Sequence, residues 1–167
     1  IKFTGGEPLL IPHVRKIIKQ LVDEDVASSV RLSMITNGTI ALDEEMQQLL
    51  KHFKQVIWIV SIDAIEDRYE YIRHGANWSE VETNVKQFAK IQNLRDNFTV
   101  SVNYLPMCIN AAYDSKTEAW TRNLGLHFSK SVEIYRPKYL TYASLSYKLR
   151  DKYNISSNYE YSNESFQ

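Results

Sequence analysis

The sequence predicts an α/β fold in which parallel strands alternate with helices, and three observations predict it. Segments with the apolar period of a strand and of a helix alternate along most of the 167 residues, five strands deep. The run Val56-Ile57-Trp58-Ile59-Val60 is apolar without alternation, which suits a parallel strand covered on both faces. Glycine and polar residues close one strand after another, as at Gly5-Gly6 and Asn37-Gly38, where strand-to-helix turns belong.

Residues Ile1–Thr4 read as the end of a strand, and Pro12 suits the first turn of the helix that follows. In that helix Val14, Ile17, Ile18, Leu21 and Val22 make one buried stripe at i, i+3, i+4, i+7 and i+8. Val30–Thr36 is the second strand, broken by Asn37-Gly38. Asp43 caps a second helix, with Glu44 and Glu45 placed against the helix dipole and Met46, Leu49, Leu50 and Phe53 buried. Gln55–Ile62 is the third strand and Glu66–Arg73 a short helix, after which Gly75 turns the chain. Ser79-x-x-Glu82 supplies a capping box for a longer helix carrying Val81, Val85, Phe88 and Ile91. The fourth strand alternates through Phe98, Val100, Val102 and Tyr104 and ends before Pro106. A helix over Asp114–Leu124 is closed by Gly125, and Val132–Tyr135 is the expected last strand. From Asp151 onward Asn, Ser and Tyr dominate, as in a poorly ordered end or the start of a further subdomain.

Composition narrows the function classes. Twenty basic residues balance twenty acidic ones, so bulk charge gives no attraction to nucleic acid or to an anionic membrane. No apolar run approaches the roughly 20 residues of a membrane-spanning helix, and the cytoplasm is the simplest expected compartment. Cys108 is the only cysteine, which excludes an intrachain disulfide and any cluster held by several thiolates of this chain; a lone cysteine of this kind is most often a buried small hydrophobe. His13, His52, His74 and His127 never fall at i, i+3 or i, i+4, so no two share a helix face as metal ligands, and no metal site is expected.

In parallel βα architectures ligands bind at the carboxyl ends of strands, where the loops and helix N-termini converge. That rule selects Gly5, Gly6 and Glu7 after the first strand, and Thr36, Asn37 and Gly38 after the second. It adds Ser61 and Asp63 after the third, Asn103 and Tyr104 on the fourth, and Arg136 after the fifth. Two glycines at a strand end let backbone approach a ligand closely, and the carboxylate of Glu7 can accept hydrogen bonds from an ammonium group. Each residue also has a structural reading. Gly5-Gly6 and Asn37-Gly38 serve as turns, Ser61 and Asp63 serve as caps, and Arg73 serves as a surface charge.

The order of these segments from Ile1 to about Arg150 resembles the radical S-adenosylmethionine (radical SAM) superfamily, and more narrowly its members with a shortened "twitch" extension. The resemblance rests on Gly5-Gly6-Glu7-Pro8, Thr36-Asn37-Gly38, Ser61-Ile62-Asp63 with Tyr71-Ile72-Arg73-His74-Gly75, and Arg136-Pro137-Lys138-Tyr139-Leu140-Thr141. Ala64 stands where many relatives have Gly. The resemblance implies a partial (β/α) barrel over 1–136 that lacks its first βα unit, with 137–167 beginning a twitch-like extension. It implies S-adenosylmethionine and a [4Fe-4S] cluster as cofactors. Gly5, Gly6 and Glu7 would meet the cofactor's amino group, Ser61 and Arg73 its carboxylate and ribose, and Asn103, with Arg136 beyond, adenosine or substrate, with Thr36, Asn37 and Asp63 in the same site.

The implied chemistry is reductive cleavage of S-adenosylmethionine to a 5′-deoxyadenosyl radical, with a flavodoxin or ferredoxin as electron donor and a peptide or small metabolite as substrate. The family's CxxxCxxC loop is absent, so the expectation is an N-terminally truncated enzyme core, inactive by itself. Two alternatives stand beside it. One is a non-catalytic βα domain that binds a nucleotide or a partner protein. The other is a barrel enzyme acting on phosphates or sugars, for which a general base and a Gly-rich phosphate loop are lacking.

Overall fold

A computed structural model describes residues 1–132 and 136–155. Its strands are β1 (Lys2–Phe3), β2 (Arg31–Thr36), β3 (Gln55–Ser61), β4 (Phe98–Tyr104) and β5 (His127–Lys130). The helices are α1 (Pro12–Asp23), α2 (Glu44–Leu50), α3 (Glu66–Ile72), α4 (Trp78–Asn93), α5 (Asp114–Asn123) and α6 (Tyr147–Lys152). All neighbouring strands are parallel and their spatial order is their sequence order, β1-β2-β3-β4-β5. A doubly wound sheet reverses its order at a switch point, so unbroken succession is the progression of a (β/α) barrel. The sheet remains open. Among the described residues no helix is long and apolar enough to cross a membrane.

The helices pack against one face of the sheet. Leu32, Met34, Val56, Trp58, Val60, Phe98, Val100 and Val102 are buried there with Ile18, Leu50, Val81, Val85 and Phe88 from the helices. Trp58 lies between Phe88 and Phe98, with ring centroids at 5.6 and 5.7 Å. The alternate residues of the strands, Ser33, Ile35, Ile57, Ile59, Ser61, Ser101 and Asn103, are only partly buried on the opposite face. This corrects the expectation that Val56–Val60 is covered on both faces. In a sheet of barrel order the second face is the concave one, and only closure of the barrel fills it.

Three local expectations also change. The long helix α4 is capped by Asn77, whose Oδ1 accepts from the Glu80 N–H at 3.2 Å, and not by a box starting at Ser79. Ser79 lies inside the first turn and donates its hydroxyl to Asn77 Oδ1 at 2.7 Å. The last strand is His127–Lys130, earlier than expected: Val132 is outside it, and residues 133–135 of the expected strand lie outside the described residues. Cys108 is half-buried and not sealed in the core, with its Sγ donating to the Tyr139 carbonyl at 3.1 Å. Beyond β5, residues Lys138–Leu140 and Tyr142–Ser144 form two 3-10 turns ahead of α6. Residues 156–167 of the polar tail lie outside the described residues.

Candidate functional site

The strand-end residues converge at the carboxyl edge of β1, β2 and β3. After β1 the chain turns through Gly5 and Gly6, with φ of +90° and +58°, a region where a side chain is strained. A Cβ on either would meet nothing within 4 Å, so the backbone of this turn borders open space. The turn delivers Glu7, which is 8 % exposed. Its Oε2 accepts from the Thr36 hydroxyl at 2.9 Å and from the Asn37 N–H at 2.8 Å, while Oε1 accepts from the Leu9 N–H at 3.2 Å. A carboxylate offers about four lone-pair positions, so three protein bonds leave capacity for one more donor.

Thr36 closes β2 and is sealed at 1 % exposure. Its hydroxyl donates to Glu7 and accepts from the Gly38 N–H at 3.0 Å, so it ties Glu7 to the second turn and presents nothing outward. Asn37 follows, its Oδ1 accepting from the Thr39 N–H at 2.9 Å and the Thr39 hydroxyl at 2.7 Å. The Asn37 carbonyl accepts from the Tyr69 hydroxyl of α3 at 3.3 Å. Burial pushes the Tyr69 phenol above the usual tyrosine range, which keeps it a neutral donor here.

Arg73 ends α3, and its Nε and Nη2 both donate to Asp63 Oδ2, at 3.0 and 2.8 Å. The guanidinium lies over the Tyr69 ring, 5.8 Å from its centroid. Asp63 is buried, while Arg73 keeps 27 % of its side chain exposed. Among the described residues no acceptor meets Arg73 Nη1. Arg73, Tyr69, Asn37, Thr39 and His74 line a cleft of about 410 Å³. Two other clefts, of about 570 and 430 Å³, run along α4–α5 and along α1 and contain none of the predicted site residues.

Ser61 and Asn103 sit opposite each other in the β3–β4 register, on the open face of the sheet. Asn103 Oδ1 accepts from the Ser131 hydroxyl at 2.8 Å. Arg136 is exposed in the segment beyond β5. The fold thus brings Glu7, Thr36 and Asn37 into one hydrogen-bonded group, joins it through Tyr69 to the Asp63–Arg73 ion pair, and leaves Ser61 and Asn103 as a pair on the open face. Tyr69 and Asn110 were not legible as site residues. Asn110 is fully buried and holds the Asp63 carbonyl at 2.7 Å from Nδ2. Tyr69 lies four residues before Arg73, a helical spacing that could have marked it.

Comparison with known proteins speaks for the family and the fold. The family model described as the radical SAM superfamily matches residues 1–107. Among curated proteins, molybdenum cofactor biosynthesis protein 1 of Dictyostelium discoideum is 23 % identical over 95 % of this chain and 28 % of its own length. A GTP 3′,8-cyclase of Clostridium botulinum (strain Okra / Type B1) is 29 % identical over 54 % of this chain and 28 % of its own length. The chain thus spans little more than a quarter of these relatives. Among solved structures, a domain of pyruvate-formate lyase-activating enzyme from Bacteroides vulgatus aligns over 92 % of this chain and 89 % of its own, with TM-score 0.62 at 14 % identity. The structure of anSMEcpe with bound AdoMet and Cp18Cys peptide aligns over 79 % of this chain and 37 % of its own, with TM-score 0.57 at 18 % identity. At these identities the structural likeness speaks for the fold.

Proposed function

The chain belongs to the radical SAM superfamily, and on that premise we propose that it seats S-adenosylmethionine at the carboxyl ends of β1–β4 as the cofactor-orienting part of a radical SAM enzyme. With a [4Fe-4S] cluster, that cofactor supplies a 5′-deoxyadenosyl radical for hydrogen abstraction from a substrate. The observation that carries the reading is the meeting of four separate segments at one edge beside an accessible glycine turn: Glu7 and Thr36-Asn37 form one hydrogen-bonded group, and Tyr69 joins it to the Asp63–Arg73 ion pair.

In this reading the Gly5-Gly6 backbone and the remaining acceptor position of Glu7 take the cofactor's ammonium group. Arg73, with Nη1 uncommitted and the guanidinium braced by Asp63 and Tyr69, takes the carboxylate, for which its planar fork is suited. Ser61 and Asn103 take ribose and adenosine from the open face. Thr36, Asn37 and Asp63 hold the contacting groups in place. Residues from 137 onward begin a C-terminal extension.

The residues present do not suit the cluster. Cys108 is the only cysteine in the sequence, it lies in the loop after β4, and the described residues contain no group of three or more His, Cys, Asp or Glu able to hold a metal. The proposal therefore gives this chain the orienting role and assigns the thiolates and electron transfer elsewhere.

Titration of the ¹⁵N-labelled chain with S-adenosylmethionine tests it. Expected are shifts of the Gly5, Gly6 and Asn37 amides and of the Arg73 Nε–Hε peak, with Arg73→Ala weakening binding about tenfold or more, the loss expected when a charge-assisted hydrogen bond is removed. Shifts confined to the α4–α5 cleft, or none at millimolar cofactor with the folded spectrum intact, would overturn the proposal and favour a partner-binding βα domain.

A further inference from the structure

We propose that Asn110, in the loop after β4, is a positioning residue whose side chain sets Asp63 and, through Asp63, the guanidinium of Arg73; its bearing on cofactor binding rests on the site reading above. Asn110 is 0 % exposed. Nδ2 donates to the carbonyls of Asp63 at 2.7 Å and Leu105 at 2.9 Å, and Oδ1 accepts from the Met107 N–H at 2.7 Å. Both N–H donors of the amide are therefore spent on main-chain carbonyls belonging to two different strand-end loops.

The partners separate positioning from simple loop closure. Bonds to Leu105 and Met107 stitch the loop to itself, across five and three residues. The bond to Asp63 spans 47 residues and lands on the residue whose carboxylate holds both Nε and Nη2 of Arg73. Asp63 is thus gripped on two sides: its carbonyl by the β4 loop, its carboxylate by the end of α3. The main-chain carbonyl of Asn110 is itself anchored, accepting from the Tyr104 hydroxyl at 3.0 Å and the Tyr113 N–H at 2.8 Å. Removing the Nδ2 donors leaves the Asp63 carbonyl buried without this partner, and the cheapest relief is movement of the Asp63 loop. Arg73 moves with it, because Nε and Nη2 both bond to one oxygen of Asp63.

The test uses Asn110→Asp, which keeps an acceptor for the Met107 N–H and removes both donors, beside Tyr104→Phe, which takes one of two donors from the main-chain carbonyl of Asn110 and spares the Asn110 side-chain bonds. Expected for Asn110→Asp is displacement or broadening of the Arg73 Nε–Hε peak and an S-adenosylmethionine dissociation constant raised about tenfold. Tyr104→Phe should lower the urea midpoint and leave the Arg73 peak in place. The proposal is overturned if Asn110→Asp leaves that peak unmoved, or if Tyr104→Phe moves it as far, which is what a purely structural loop would do. Should Asn110→Asp not fold, the same readouts on Asn110→Ser, whose single hydroxyl can replace only one of the two donors, decide in the same way. If the wild type does not respond to S-adenosylmethionine, the site reading fails, while the response of the Arg73 peak to Asn110→Asp still decides the positioning role.

Discussion

Gly38 is held from both sides, and that makes it the turn residue least open to change. Its N–H donates to the Thr36 hydroxyl and its carbonyl accepts from Asn84 Nδ2 at 2.9 Å. Its φ is +80°, and a Cβ there would lie 2.9 Å from Val60 Cγ1 and 3.4 Å from Val81 Cγ1, both in the packed core. Gly38→Ala is expected to cost roughly 2 to 4 kcal/mol, combining left-handed strain with overpacking, in urea unfolding. Gly5→Ala carries the strain alone and should cost about 1 to 2 kcal/mol. Equal losses at the two positions would contradict the packing difference. Residues of this kind were legible in the sequence because a glycine or carboxylate at a strand end has few roles. Asn110 was not legible, because its bond to Asp63 spans 47 residues and no local pattern announces it; Tyr69, bonded to Asn37 across 32 residues, offered only its helical spacing to Arg73.

At the scale of elements, the alternation of periods predicted every helix from α1 to α5 and the first four strands within a residue or two at most ends. It failed where two good local answers competed. Asn77 and Ser79 are both favoured caps, and Ser79-x-x-Glu82 has the pattern of a capping box. Packing of Trp78 decided between them: its ring sits 5.2 Å from Tyr69 and 5.1 Å from Trp120, which makes Trp78 the first helical residue and Asn77 the cap. Glu82 is engaged elsewhere, accepting from Trp120 Nε1 at 3.2 Å and pairing with Lys86. Asn77→Ala should therefore cost about 1 kcal/mol, and Ser79→Ala no more than about 0.5 kcal/mol, in thermal or urea unfolding. The reverse order would restore the capping box. The strand β5, His-Phe-Ser-Lys, escaped for a different reason: it lacks a β-branched run, and pairing with Ser101–Tyr104 supplies what propensity does not.

For the whole molecule, two buried tyrosines, Tyr69 and Tyr104, tie stability to alkaline pH. Burial raises the phenol of Tyr104 far above its ordinary value, with the nearby Asp114 charge adding to it, and burial also raises Tyr69. In each case the folded protein keeps its proton at a pH where the unfolded chain has released it. The unfolded state then binds fewer protons, so stability is intact below the ordinary tyrosine value near 10 and falls as pH rises beyond it, by at most about 1.4 kcal/mol per pH unit for each group. Urea unfolding between pH 8 and 11 should show this decline, and Tyr104→Phe should flatten it while lowering stability at pH 8, where the lost bond to the Asn110 carbonyl is felt. A decline unchanged in Tyr104→Phe would place the alkaline sensitivity elsewhere.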